Sequence, residues 1–120
     1  MEHKPKKIIV AEDDPGTQHA IAVIFERAGY EVRVIPNGQP LLENDFEVPD
    51  IFILDRQLSG VDGLDICRFL KAQEHTAAIP VIMLSASPDI GRLSVEAAAT
   101  DFLEKPFRMK KLLEMVNKYA

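Results

Sequence analysis

The chain has 120 residues, enough for one domain around one core. Its 47% apolar and 28% charged content excludes a disordered chain, and a net charge of −5 (19 acids against 14 Lys and Arg) argues against a nucleic-acid-binding surface over most of it. The one cysteine, Cys67, excludes an intrachain disulfide and suits a reducing, cytoplasmic compartment, while no apolar run reaches membrane-spanning length.

The basic start, Met1 to Lys7, leads into the apolar run Ile8-Ile9-Val10-Ala11, which is too short for a signal peptide. Lys7 to Ala11 is β-branched and apolar and predicts a first strand. Glu12-Asp13-Asp14 ends it. Asp14 before Pro15 reads as a helix N-cap followed by a first-turn proline. Glu12 and Asp13 are then left without a local task, and an acid pair at the end of a buried strand suits a hard cation, magnesium by default.

Gly16 to Ala28 predicts the first helix, with Ile21, Ile24, Phe25 and Ala28 on its buried stripe and Gly29 as its stop. Glu31 to Ile35 alternates polar and apolar, as a strand at a sheet edge does. Pro36-Asn37-Gly38 is a turn, and Leu41 and Leu42 fit a short second helix. Pro49 closes the linker, and Asp50 to Leu54 predicts the third strand. The run Ile51-Phe52-Ile53-Leu54 is apolar at every position, the mark of a strand covered on both faces, and it delivers Asp55 to the end of the sheet.

Ser59 to Gly63 reads as a loop, and Leu64 to Glu74 as a third helix with Leu64, Cys67, Leu70 and Ala72 among its less polar positions. Cys67 fits there as a small core hydrophobe. Ile79 to Leu84 predicts a fourth strand, with Ser85 at its end. Ser87 before Pro88 reads as the cap of a fourth helix, with Asp89 in its first turn. Asp101 to Glu104 predicts a fifth strand, ended by Lys105-Pro106-Phe107. Arg108 to about Tyr119 is the last helix, with Met109, Leu112, Leu113 and Val116 facing in.

Five alternations of strand and helix predict one α/β domain: a parallel five-stranded sheet between two helical layers, most simply in the flavodoxin-like order 2-1-3-4-5. The order reverses between strands one and three, which puts Glu12 and Asp13 beside Asp55. Ser85 and Lys105 arrive at the same sheet edge from strands four and five. This set suits phosphoryl transfer: acids for the metal, Asp55 as a carboxylate nucleophile, Lys105 as a compact positive charge and Ser85 as a donor.

These stretches resemble the receiver domain of two-component response regulators over essentially the whole length. The matching segments are Ile8 to Asp14, Ile53-Leu54-Asp55, Gly60 to Leu64, Pro80 to Ala86 and Glu104 to Phe107. The resemblance implies that Asp55 is the phosphoacceptor. It implies that Glu12, Asp13, Asp55 and the Gln57 backbone carbonyl hold Mg2+, and that Ser85 and Lys105 fill the family's hydroxyl and lysine roles. Phe102 falls at the family's aromatic switch position, its alternative being a plain core or edge aromatic. A cis Lys105–Pro106 bond is implied as well. The implied function is a phosphorylation-activated signalling switch that is not a turnover enzyme and catalyses only its own phosphoryl transfer and dephosphorylation.

The implied partners are a sensor histidine kinase or phosphotransfer protein as donor and a downstream protein that reads the face of helix four, strand five and helix five. No nucleic acid or membrane is contacted directly, and the chain is expected as a monomer or a phosphorylation-dependent dimer. Residues 1–120 are expected to be one receiver domain with no output domain. Three departures stand out. Ser59 replaces the family's usual proline, Arg56 stands where an apolar residue is common, and Gln57 and Ser87 occupy positions that tune dephosphorylation. Competing readings are an aspartyl-nucleophile phosphatase, which would want an acid at position 57, a flavodoxin, whose phosphate loop Glu12-Asp13-Asp14 would repel, and a degenerate receiver acting only as an interaction module.

Overall fold

The computed structural model describes residues 4–120, so part of the basic start, residues 1–3, lies outside the described residues. Seven strands and five helices follow in order: β1 (Lys7–Ala11), α1 (Pro15–Arg27), β2 (Glu31–Ile35), α2 (Gln39–Leu42), β3 (Ile51–Asp55), β4 (Gln57–Leu58), β5 (Val61–Asp62), α3 (Gly63–Ala72), β6 (Val81–Ser85), α4 (Ile90–Glu96), β7 (Asp101–Glu104) and α5 (Met109–Tyr119). The main sheet has the order β2-β1-β3-β6-β7, with every pairing parallel. Counting only these five strands, this is the flavodoxin-like 2-1-3-4-5 order.

β3 and β6 are buried at all five positions, and β2 alternates as an edge strand should. Side-chain alternation splits the core in two. Ile9, Phe52, Leu54 and Met83 face Leu41, Leu64, Ile66, Cys67, Leu70 and Ile90 on one side. Ile8, Val10, Ile51, Ile53, Ile82 and Leu84 face Ile21, Phe25, Leu112 and Val116 on the other. Phe52 meets Phe46 edge to face at 5.7 Å between centroids. Truncating Phe52 to Ala would cost about 3–5 kcal/mol, the usual range for a buried Phe.

Asp14 caps α1 as expected, its Oδ2 accepting from the Thr17 N–H at 2.8 Å. Several boundaries differ from the sequence reading. Ala28, expected on the buried stripe, is exposed, because the chain is already leaving α1 there. Asp50 lies outside β3 and its carboxylate accepts from the Lys7 N–H at 2.7 Å. The segment after Asp55 is a small antiparallel hairpin, with Gln57 opposite Asp62 and Leu58 opposite Val61. Ser59-Gly60 forms its two-residue turn, and Gly60 takes φ +86, which glycine adopts without penalty.

The expected Ser87 cap of α4 is not formed. The helix begins only at Ile90, and its cap position, Asp89, makes no side-chain capping bond. Ser87 instead closes a turn: its Oγ accepts from the Asp89 N–H at 3.4 Å and its carbonyl from the Ile90 N–H at 3.2 Å. Proline at position 88 serves the turn as well as it would a first helical residue. Among the described residues, no helix is long and apolar enough to cross a membrane.

Candidate functional site

The site lies at the carboxyl ends of β1, β3, β6 and β7. Glu12 follows β1 and is fully buried, and Asp55 ends β3 with 3% of its surface exposed. Asp13 is exposed at the rim. Oxygens of Glu12, Asp13 and Asp55 lie within 4.8 Å of one another. Lys105 reaches in from the turn after β7. Its Nζ donates to Asp55 Oδ2 at 2.7 Å and to Glu12 Oε1 at 3.3 Å. The Lys105–Pro106 bond is cis.

Backbone groups complete the cradle. Asp55 Oδ1 accepts from the Gln57 N–H at 3.1 Å, and Glu12 Oε2 from the Asp13 N–H at 3.1 Å. Gln18 on α1 donates its side-chain amide to the Glu12 carbonyl and holds the end of β1 to the helix. Ser85, fully buried, uses its Oγ to accept from the Ser87 N–H at 3.0 Å. That is the local backbone role open to any loop serine, and the hydroxyl proton remains free to donate.

The two buried acids, Glu12 and Asp55, share one lysine. Burial, then the hydrogen bond and charge of Asp55, push the Glu12 carboxyl up to about 7, while Lys105 pulls the other way. Burial also works against Asp55, but bonds from Glu12, Lys105 and the Gln57 N–H outweigh it, so its net displacement is downward. Of the two, Glu12 therefore holds its proton to the higher pH and Asp55 ionises first. Burial opposes the charge of Lys105, and Asp55 and Glu12 more than restore it.

The donor set suits a hard cation: oxygen ligands, excess negative charge and one exposed member at the rim through which an ion can enter. The structure brings together Glu12, Asp13, Asp55 and Lys105, with Ser85 at the adjoining strand end. It does not bring Phe102 into the site. That ring sits on β7, 39% exposed, with its tip against Gly91 of α4.

Two residues matter more than the sequence alone suggested. A Cβ on Gly63 would lie 2.2 Å from the Asp55 carbonyl oxygen and 2.9 Å from Arg56 Cα, so only glycine lets α3 start this close to the end of β3. Asp62 caps α3 through Oδ1, 2.9 Å from the Leu64 N–H, and its Oδ2 lies 3.5 Å from Arg56 Nε. The Asp-Gly pair before an apolar helical stretch carried that signal. Arg56, Gln57, Asp62 and Ser87 line an open cleft of about 620 Å³ beside the hairpin.

Comparison with known proteins agrees with this geometry. The DNA-binding response regulator MtrA of Mycolicibacterium smegmatis is 33% identical over 120 residues, covering 98% of this chain and 51% of its own length. The chain thus spans about half the length of the curated relatives it matches. A solved chain from Chloroflexus aurantiacus J-10-fl superposes with a TM-score of 0.89 at 32% identity, covering 97% of this chain and 98% of the other. The receiver domain of sensor histidine kinase PA1611 from Pseudomonas aeruginosa PAO1, with a magnesium ion coordinated in its active-site cleft, gives 0.85 at 26% identity, covering 97% and 98%. The response regulator receiver domain profile matches residues 8–117. With this sheet order and this cluster of acids and lysine at its edge, the chain belongs to the response regulator receiver domain family, whose work is phosphorylation-dependent signalling.

Proposed function

We propose that the chain is a phosphorylation switch in which Asp55 takes a phosphoryl group from the phosphohistidine of a histidine kinase or phosphotransfer protein. The observation that carries this reading is the Lys105–Asp55 contact at 2.7 Å inside a cluster of acids. In the transfer, a carboxylate oxygen of Asp55 forms its bond to phosphorus as the nitrogen–phosphorus bond of the donor breaks. The imidazole leaves with the electron pair and takes up a proton. Hydrogen bonds from Lys105 and the Gln57 N–H fix the carboxylate beforehand, which is the positioning that phosphoryl transfer requires. Lys105 Nζ is placed to follow its oxygen partner onto the phosphoryl group.

Glu12, Asp13, Asp55 and the Gln57 carbonyl would hold magnesium. The ion supplies charge neutralisation for the carboxylates and the phosphoryl oxygens when bound. Ser85 then offers its free proton to the remaining phosphoryl oxygen, and Phe102 moves in response, changing the surface of α4, β7 and α5 for a protein partner. A net charge of −5 supports a protein rather than a nucleic acid as that reader, and one cysteine and the absence of a long apolar helix among the described residues support a cytoplasmic setting. Asp55 supports a stored signal and not turnover, because Gln57 offers no second acid to hydrolyse the adduct.

Mass spectrometry after treatment with a small acyl-phosphate donor and magnesium tests this reading. A single adduct on Asp55 lasting minutes is the expected result. Steady hydrolysis of a phosphoester would make the chain a phosphatase, and no adduct would leave only an interaction module.

A further inference from the structure

α4 is seven residues long and its second residue is Gly91. Glycine is among the poorest residues for a helix interior, so its place here needs a reason. The rest of α4 offers it no compensation. No side chain caps the helix start, the Ser94 hydroxyl is buried without a hydrogen-bond partner, and the chain leaves the helix through Ala98 at φ +63.

The ring of Phe102 crowds the place where a Cβ would stand. A Cβ at position 91 would lie 3.1 Å from Phe102 Cζ and 3.5 Å from both Cε atoms. Phe102 belongs to neither core cluster. It pairs with Met83 across β6 and β7, two residues before Ser85, so Met83, Phe102 and Ser85 share one face of the sheet. The ring therefore rests between solvent and the bare backbone of α4, on the side from which the Ser85 hydroxyl is offered.

We infer that Gly91 is a positioning residue of the switch: its bare Cα is the seat that holds the Phe102 ring in its resting place. Resting on the phosphoacceptor reading above, this adds the residue that sets the balance before phosphorylation. A side chain at position 91 would contact the far end of a flexible ring and not backbone, so the ring yields and the fold does not. The ring is then tipped toward the position it takes when Asp55 is phosphorylated.

The test is ring 1H–13C NMR on protein carrying 13Cε-phenylalanine, with the Phe102 signal assigned by its loss in Phe102→Leu. Wild type with magnesium and beryllofluoride supplies the phosphorylated-like endpoint. Without the mimic, Gly91→Ala should move the Phe102 signal toward that endpoint, raising the off-seat population roughly five- to ten-fold, or about 1–1.4 kcal/mol. Gly91→Ser should shift it the same way, and Gly91→Ala should not lower Tm, because alanine is the better helix former. A purely structural role would leave the signal in place. An unmoved signal in both variants, or one displaced away from the endpoint, overturns the proposal. A mimic that shifts the Asp55 and Gln57 amides but not the Phe102 ring overturns this proposal alone. A mimic that shifts neither overturns the phosphoacceptor reading and this proposal with it.

Discussion

Raising the pH of the metal-free protein from 5 to 8 should destabilise it, and Glu12 should account for most of the loss. Its carboxyl is held up to about 7 by burial and by Asp55, against 4.5 for an ordinary Glu. Between those values the folded chain keeps a proton that the unfolded chain has released. Stability therefore falls as pH rises through this window, since the folded state binds more protons. At 1.36 kcal/mol for each pH unit between the two values, the ceiling is about 3 kcal/mol. Asp55 works in the opposite sense, its carboxyl being held below the usual range, so its contribution is lost only in acid, below the window. Three kcal/mol corresponds to a fall in Tm of roughly 10 °C for a domain of this size. Scanning calorimetry at several pH values in chelator, on wild type and Glu12→Gln, measures it. The variant cannot ionise and should show a much flatter profile. Millimolar magnesium should also flatten the wild-type profile, since a bound cation favours the ionised acid. An equally steep profile in Glu12→Gln would refute the assignment of the proton to Glu12.

Magnesium should raise Tm by linkage to the folded state, and Asp13→Asn should respond much less; an unchanged response removes Asp13 from the site. Gly63→Ala drives a methyl into the Asp55 backbone, which cannot turn aside, and should cost about 2–3 kcal/mol in urea unfolding. A loss under about 0.5 kcal/mol, the range of a neutral surface change, would contradict the close approach. Ala98→Gly should stabilise the chain by about 0.5–1 kcal/mol, because φ +63 is costly for alanine and free for glycine. No gain in the urea midpoint would show that the position is not strained. Ser85→Ala should still accept a phosphoryl group on Asp55, yet amide NMR shifts over residues 88–119 with a phosphoryl mimic should shrink; equal shifts in both proteins would uncouple Ser85 from the switch.

The sheet order and the cluster at its edge were readable from residue types, because a buried strand announces itself by an unbroken apolar run and its end by the first charge. Ile51 to Asp55 shows this most plainly. What misled lay where two local structures compete for the same residues. Ser87-Pro88 serves a turn or a helix start equally well, and the choice fell to how far α4 lies from the end of β6. The Gln57–Asp62 hairpin did carry a signal, the Ser59-Gly60 turn between Leu58 and Val61, but the strands are two residues long and show no alternation. The raised carboxyl of Glu12 was out of reach, since it depends on burial and on Asp55, a residue of a different strand. The seat of Phe102 on Gly91 is likewise a contact between distant segments.

The two walls around Asp55 are built to different tolerances. On one side, the Gly63 N–H donates to the Arg56 carbonyl at 2.8 Å, and the Asp62 carboxylate ties α3 to Arg56. That wall is bolted to the end of β3, so drift in it would displace the Asp55 carboxylate. On the other side, α4 is a short helix with no side-chain cap, and Val95 stands 76% exposed on its outer surface. On the reading proposed above, substitutions at outward positions such as Val95 would reshape what a partner touches and leave Asp55 and Lys105 in place. Descendants of such a chain could change listeners without relearning how to be phosphorylated.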